Sequence, residues 1–352
     1  MASLSILQRK ERHGVLVNFT DHCVHLARLA LEEKPLKVDA FAEVAAGNEE
    51  AIARWLGKTF PDHAGGYLAG YCSFHPPERL LFRETVNPRR LGEAGYLPGL
   101  VAEHGKLASA AQWQVAALHP AEGIPVAAEG GARAGLVLGV PWTAIRETQT
   151  LLRKWGIRPR RLELGTLPLV GGLSRLVGLT GYPDAVVACE IAQMQTRIYL
   201  LSKDGVHTPP ALPHGLLSIE EAAMKELGAP DVASARRGLE EPSDELRSHG
   251  RRLVRMISRH LRPAVDYFEM QTGQRIGALC CTHLPRRLGW LEQALSTAVD
   301  LDFLTPDFDL WLPAVGLKVE PADPVPSHGW LQPLSLVAQL TPAPAPAAVL
   351  AS

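Results

Sequence analysis

The residues most able to do chemistry here are histidines and cysteines, because both bind transition metals and both change protonation in reactive sites. The chain has 13 histidines and five cysteines, and His22, Cys23 and His25 lie closest together in sequence. On a strand, residues three apart point to opposite faces, so His22 and His25 would not bind one ion together. The sequence has neither an HExxH segment nor a paired Cys/His spacing. We therefore predict packed or surface histidines and no metal site.

Signatures of two large enzyme classes are missing from the sequence. There is no GxSxG segment, which argues against an α/β-hydrolase, and no GxxxxGK[ST] segment, which excludes a P-loop. The adjacent Cys280 and Cys281 would form only a strained disulfide, and we expect both to be buried apolar residues. An odd number of cysteines without a CxxC pair is typical of a reducing compartment.

The composition is that of a globular protein with a sizeable core. Of the 352 residues, 46% are hydrophobic and 21% are charged, which suits two lobes or one large domain. Lys and Arg number 36 against 37 Asp and Glu, and this balance argues against a dedicated nucleic-acid binder. Residues 1–12 do not resemble a signal peptide, and no unbroken apolar run reaches the ~18 residues of a membrane span. We expect a cytoplasmic protein.

The elements that would position these residues follow a plan that occurs twice. In the first half the pattern predicts a β-hairpin Val15–Leu31, a third strand Lys37–Val44, a helix Asn48–Thr59 with Asn48 as N-cap, and another strand Gly66–Ser73. The less regular stretch Pro76–Leu118 is interpreted as a small inserted subdomain. The pattern then predicts a strand Gly135–Val140, a helix Thr143–Trp155, a strand that begins at Arg161 and a second helix Leu167–Leu179.

The second half begins again at Asp184 with strand, polar turn and strand. The pattern predicts strands Ala185–Ala188 and Thr196–Ser202, joined by a turn Glu190–Gln195 and followed by a hairpin turn at Lys203–Gly205. After them it predicts a helix Leu217–Leu227 with Ser218 as N-cap, a polar linker Gly228–Pro242 and a long helix Ser243–Thr272 that is bent at Pro263. A strand Ile276–Cys280, a helix Arg286–Ala298 and a short strand Val299–Leu304 complete this half.

Two such halves with a cleft between them describe an α/β fold of the actin-like (ASKHA) or sugar-kinase-like kind, with two ribonuclease-H-like lobes. We predict a first lobe over 13–183 with its inserted subdomain at about 76–118, and a second lobe over 184–340. The Pro/Ala-rich end, 341–352, is predicted to be a disordered tail.

Three segments resemble the PilM group of actin-like proteins, which serve type IV pilus assembly. They are Gly135–Gly172, with the turn Lys154–Pro159; Ala185–Gly215, with its hairpin; and Leu261–Leu295, with Asp266-Tyr267-Phe268. The cytoplasmic domain of the type II secretion component GspL is a related possibility. The order and spacing of these pieces over most of the chain carry the resemblance, since each piece alone is weak.

The resemblance implies where a nucleotide site would lie. In actin-like ATPases two hairpins hold the triphosphate, and glycines let the backbone approach the phosphates. Aligned by spacing, the site positions fall on Asn18, Thr20 and His25 in the first hairpin, on Glu190, Ala192 and Thr196 in the second, and on Thr282 and His283 at the adenine shelf. Among these positions, only Glu190 and Thr196 keep compatible chemistry.

The other positions depart from the pattern of an active site. Asn18 replaces the first acid, and Asp21 would take that role only if the register shifts by a few residues. Side chains at Thr20 and Ala192 would crowd a phosphate, and the shelf has no glycine. We therefore predict a degenerate nucleotide site without catalytic residues, which hydrolyses no ATP, binds ATP and Mg²⁺ poorly and holds no cofactor.

The resemblance also implies a function. PilM-like proteins dock the cytoplasmic tail of a PilN-type membrane protein in a groove on the first lobe and inserted subdomain. We therefore expect a non-catalytic scaffold of a type IV pilus or type II secretion-like platform, peripheral to the inner membrane through its partner. The alternative is an ATP-dependent small-molecule kinase or ATPase of the same fold, which would need intact phosphate hairpins.

A row of arginines follows one face of the predicted long helix. They are spaced three or four residues apart, at Arg247, Arg251, Arg255, Arg259 and Arg262. A solvated helix face is the favoured interpretation. Contact with an acidic partner or with anionic lipid headgroups is the other.

Overall fold

The strands of the computed structural model form three sheets within the residues that it describes, 12–61, 66–320 and 328–340. The predicted tail, 341–352, lies outside these residues. In those three ranges, no helix is both long enough and apolar enough to cross a bilayer.

The first lobe alternates strands and helices. Its elements are β1 (His13–Phe19), β2 (Cys23–Ala30), β3 (Leu36–Ala45), α1 (Glu49–Thr59), β4 (Leu68–Phe74), β5 (Leu80–Val86), α2 (Tyr96–His104), β6 (Trp113–Leu118), β7 (Arg133–Pro141), α3 (Trp142–Lys154), β8 (Ile157–Leu164) and α4 (Thr166–Thr180). The predicted N-cap of α1 is confirmed, because the side chain of Asn48 accepts a hydrogen bond from the backbone N–H of Ala51.

The second half repeats the opening of the first. Its elements are β9 (Ala185–Ile191), β10 (Thr196–Ser202), β11 (Gly205–His207), α5 (Leu216–Leu227), α6 (Val232–Glu240), α7 (Asp244–Ser248), α8 (Gly250–Leu253), α9 (Arg255–Thr272), β12 (Ile276–Thr282), α10 (Trp290–Val299), β13 (Asp302–Phe303), α11 (Phe308–Ala314), β14 (Leu317–Val319) and α12 (Leu331–Ala338).

The two larger sheets share one topology. The strand order is β3-β2-β1-β4-β8 in the first lobe and β11-β10-β9-β12-β13 in the second, so the first strand is central in both. In each lobe the first three strands are antiparallel neighbours and the last two run parallel. Strand β9 is buried along its whole length, as expected of a sheet covered on both faces. The predicted bilobal α/β fold with two ribonuclease-H-like lobes is confirmed.

The inserted subdomain has its own small sheet, in the order β5-β7-β6, and its own core. Both outer strands run antiparallel to β7, and both precede this central strand in the sequence. The insertion therefore continues to Pro141, past the predicted end at Leu118. The pairing of β7 with the distant β5 leaves no local signal in the sequence of the sheet to which β7 belongs.

The end of the described chain returns to the first lobe. Strand β14 adds to β3 in parallel, and α12 packs on α4, β4 and β1. Gly172 of α4 allows this approach, because a Cβ there would lie 2.1 Å from Oγ of Ser335. Residues from β14 onward, predicted within the second lobe, therefore complete the first.

Four local predictions in the second half were wrong. Glu190 lies inside β9 rather than in the following turn. Helix α6 occupies most of the predicted linker Gly228–Pro242. Helix α5 is capped by Gly215, and Ser218 instead contacts His214 through Oγ and Nδ1 at 3.2 Å. The predicted long helix is three helices, which break at His249 and Val254, whereas Pro263 lies within α9.

Candidate functional site

The two turns that would hold a triphosphate contact each other across the cleft between the lobes. Asp21, in the turn between β1 and β2, accepts a hydrogen bond from the backbone N–H of Gln193 at 3.0 Å. The neighbouring His22 lies 3.4 Å, through Nε2, from the carbonyl oxygen of Ile191. The carboxylate of Asp21 therefore joins the two lobes, and this use competes with any role in binding a metal–phosphate group.

Asn18 and Thr20 use their polar groups internally. Asn18 is fully buried, accepts a hydrogen bond from Oγ of Ser73 at 2.7 Å, and lies 3.2 Å from Nδ1 of His25 through its amide nitrogen. Thr20 closes its own turn, since Oγ1 lies 3.0 Å from both the N–H and the carbonyl oxygen of Cys23. Neither side chain is directed to a ligand in this arrangement.

His25 is buried where a nucleotide-binding lysine would be expected. Its ring contacts Trp330 edge-on, and Nε2 lies 3.8 Å from a carboxylate oxygen of Glu43. Burial, with the nearby His283, lowers the pKa of His25 to about 4. The ring is therefore neutral at pH 7 and supplies no positive charge for a phosphate.

This lowered pKa predicts a loss of stability in acid. Below a pH of about 6.5 the unfolded chain binds a proton at this imidazole while the folded chain does not, so stability falls until pH reaches the folded value. Between pH 6 and pH 4 we expect wild type to lose about 1.4 kcal/mol per pH unit more than a His25→Gln variant. Urea unfolding at both pH values measures this, with the half-exposed His119→Gln as control. Parallel pH profiles of wild type and His25→Gln would show that the histidine does not titrate in this window.

Glu190 is the centre of a buried polar cluster. One carboxylate oxygen accepts from Nη2 of Arg79 at 2.6 Å and from the hydroxyl of Tyr199 at 2.9 Å, and the other accepts from Oγ1 of Thr166 at 2.7 Å. Burial alone would raise the pKa of Glu190, but the charge of Arg79 and the hydrogen bonds from Thr166 and Arg79 lower it below its usual range. Glu190 is therefore ionised, and its charge is balanced by a cation from the same chain.

Two histidines complete this cluster. Nδ1 of His75 lies 3.7 Å, and Nε2 of His283 lies 3.9 Å, from the same oxygen of Glu190. Their rings are 4.1 Å apart between centroids, and Nε2 of His75 contacts the side-chain amide of Gln332 in α12. Burial lowers the pKa of His75 well below its usual range and that of His283 to about 4. Both rings are therefore neutral at pH 7.

The remaining predicted positions are also buried. Ala192 donates its N–H to the carbonyl of Gln195, and Oγ1 of Thr196 donates to the carbonyl of His214 at 2.8 Å. Thr282 ends β12, and His283 follows it with a φ of 77°. That left-handed conformation suits glycine, the residue that the resemblance places at the adenine shelf.

The structure brings Asn18 close to His25 and Glu190 close to His283. The turn residues Thr20, Ala192 and Thr196 instead hydrogen-bond to Cys23, Gln195 and His214. Sequence reasoning missed five members of the cluster, His75, Arg79, Thr166, Tyr199 and Gln332. They come from both lobes, the start of the insertion and the returning helix. No spacing in the sequence could identify them.

No protein-family model matches this chain, and a search of curated proteins found no match. Among solved structures, a chain of the PilM-PilN type IV pilus biogenesis complex matches with a TM-score of 0.68 and 15% identity, over 95% of this chain and all of that one. The cytoplasmic domain of EpsL, an inner-membrane component of the Vibrio cholerae type II secretion system, matches with a TM-score of 0.41 and 13% identity, over 94% and 95%. The sequence-based resemblance to the PilM group is thus confirmed at the level of the fold, which is actin-like.

Proposed function

We propose that this chain is a non-catalytic scaffold of the PilM type, which docks the cytoplasmic tail of a PilN-like membrane protein. It would then lie on the cytoplasmic side of an inner membrane, within the assembly platform of a type IV pilus or a related type II secretion machine. The observation that carries the proposal is the similarity in fold to a chain of the PilM-PilN complex over 95% of its residues.

The interior of the cleft supports a function without catalysis. In an active kinase or ATPase of this fold, acids in the two hairpins position Mg²⁺ and the attacking group. Here Asn18 is an amide, and Glu190 is bound by Arg79. The carboxylates of Asp21 and Glu190 are both hydrogen-bonded by groups of the chain itself, which argues against the kinase or ATPase alternative.

We expect that Mg-ATP does not bind with a Kd tighter than ~1 mM, because a triphosphate would have to displace Arg79 and separate two contacting turns. Calorimetric titration of the full chain with Mg-ATP measures this. Micromolar affinity would contradict both the degenerate site and the non-catalytic function.

The junction of the first lobe and the insertion offers a surface for a peptide. Helix α3 begins at Trp142 directly after β7, and this indole remains 38% exposed. An apolar cluster with Phe74, Val140 and Leu164 joins the two parts, and Ala144 and Ile145 of the same helix pack against it. Exposed tryptophans beside an apolar junction are frequent centres of binding energy in protein interfaces.

A second surface provides a matched control. A groove of about 810 Å³ lies between the insertion and the second lobe, lined by Phe82, His104, Pro209, Tyr267 and Phe268. Tyr267 is 62% exposed at its rim. This groove lies against the other face of the insertion. A variant here therefore tests whether a charge placed on any exposed apolar surface of the chain weakens binding of the tail.

The proposal is tested with a partner identified in cells. Crosslinking should recover a single-pass membrane protein, and a synthetic peptide of its cytoplasmic tail should bind the purified chain. We expect Trp142→Asp to weaken this binding at least ~30-fold, since a central tryptophan contributes about 2 kcal/mol or more. Tyr267→Asp should leave the affinity within about twofold of wild type. Failure of every crosslinked tail peptide to bind would overturn the scaffold proposal. If Tyr267→Asp weakened the binding and Trp142→Asp did not, the tail would dock in the groove rather than beside Trp142.

A further inference from the structure

His75 and His283 occupy equivalent positions in the two lobes. Each follows directly after the strand that runs parallel to the first strand of its lobe, β4 for His75 and β12 for His283. The duplicated topology therefore directs one histidine from each lobe into the cleft. Glu190 lies at the end of β9, between them.

The three side chains converge on one point. Nδ1 of His75, Nε2 of His283 and one carboxylate oxygen of Glu190 all lie within 4.8 Å of one another. Both nitrogens are 3.7–3.9 Å from that oxygen, which is too long for a hydrogen bond. Ligands about 2.1 Å from a tetrahedral Zn²⁺ are roughly 3.4 Å apart, so the three groups would have to draw together by up to about 1.4 Å to bind one ion.

The two nitrogens that lie near this point, Nδ1 of His75 and Nε2 of His283, have no hydrogen-bond partner among the described residues, and neither has Nδ1 of His283. Each side chain is about 1% exposed. Buried polar groups almost always have a partner, and leaving one unpaired costs about 1–3 kcal/mol. An imidazole nitrogen without a hydrogen-bond partner can present its lone pair to a metal ion.

The surrounding contacts would hold these ligands in place. The amide nitrogen of Gln332 contacts Nε2 of His75; when Nδ1 binds a metal, Nε2 carries the proton, and a half-turn of the amide places its oxygen to accept it. Arg79 and Tyr199 bind the other oxygen of Glu190. Because Arg79 already balances Glu190, the ion adds two positive charges to a buried cluster, which favours a small anion such as hydroxide as the fourth ligand.

We propose that His75, His283 and Glu190 bind one divalent transition-metal ion of the zinc class, which joins the two lobes inside the cleft. Two imidazoles and one carboxylate are a ligand set typical of zinc. The ion would hold the cleft closed. The metal site does not depend on partner docking, so its test is independent of the test of the scaffold function.

The first experiment uses the full chain without a histidine tag. Metal analysis of protein purified from zinc-supplemented medium is expected to find one zinc per chain. Protein unfolded and refolded with a chelator should regain one Co²⁺ on titration, with the visible absorption of a tetrahedral cobalt site. Zn²⁺ should raise the melting temperature of this refolded protein by several degrees.

The second experiment assigns the ligands. His283→Gly suits the left-handed backbone at this position, so it removes a ligand without a folding penalty from φ. We expect zinc affinity to fall by about 100-fold or more, since even outer-shell partners contribute 10–100-fold. The control is Glu43→Gln, in a second group where Nε2 of His25 lies 3.9 Å from Sγ of Cys23 and 3.8 Å from Glu43.

Three results would overturn the proposal. In the first, wild type retains no metal and neither Zn²⁺ nor Co²⁺ changes its spectrum or melting temperature, as expected if water alone bridges the cluster. In the second, Glu43→Gln loses the metal while His283→Gly keeps it, which would assign the ion to the other group. In the third, wild type and His283→Gly bind zinc with equal affinity.

Discussion

Replacing Arg79 with methionine is expected to lower the free energy of unfolding by about 3–5 kcal/mol, because the carboxylate of Glu190 would remain buried without its counter-charge. Arg79 is 4% exposed, and its contact with Glu190 joins the start of the insertion to the second lobe. Urea unfolding at pH 7, followed by circular dichroism, measures the change.

Two further variants test this explanation. The pair Arg54–Glu50 has the same charges on the surface of α1, and Arg54→Ala should cost less than ~1 kcal/mol. In the double variant Arg79→Met/Glu190→Gln no charge is stranded, so we expect it to be more stable than Arg79→Met alone. A loss below about 1 kcal/mol for Arg79→Met would mean that water reaches the cluster and that the cleft opens readily.

Gly172→Val is expected to destabilise the protein by about 3 kcal/mol, since a side chain at this position meets Ser335 of α12 and the core cannot expand without cost. Thermal unfolding measures the effect. The neighbouring Gly171 provides the control, because it is exposed and a Cβ there has no atom within 4 Å. Gly171→Val should change stability by less than about 0.5 kcal/mol.

A second substitution locates the cause of that loss. Combining Gly172→Val with Ser335→Gly removes the opposing side chain and should recover part of the lost stability. If Gly171→Val and Gly172→Val had equal effects, the contact between α4 and α12 would not be as close as the structure indicates.

The sequence predicted the elements whose signal is local. The hairpin of β1 and β2, the cap at Asn48 and the hairpin turn before Gly205 depend on alternation and turn residues within a few positions, and all three are present. Helix α6 was missed because its polar composition resembles a linker, although Ala235 and Leu239 pack into the core. Tertiary packing decided its structure, and a single-residue pattern does not contain that information.

The candidate site shows a sharper limit. Asn18, Glu190 and His283 were identified only through their alignment with hairpins and a shelf, and all three are buried in the structure. Arg79 and Gln332 reach the same cluster from an insertion and from the last described helix. Their contacts depend on how two lobes and a returning segment pack together, and local spacing cannot encode that.

The return of the chain to its first lobe has a consequence for synthesis on the ribosome. Strand β14 supplies an edge of the first sheet, and α12 covers α4. Domains usually fold in the order in which they are translated. This lobe cannot be completed until Leu331–Ala338 has left the exit tunnel, so the first lobe finishes folding only after the second lobe has been translated.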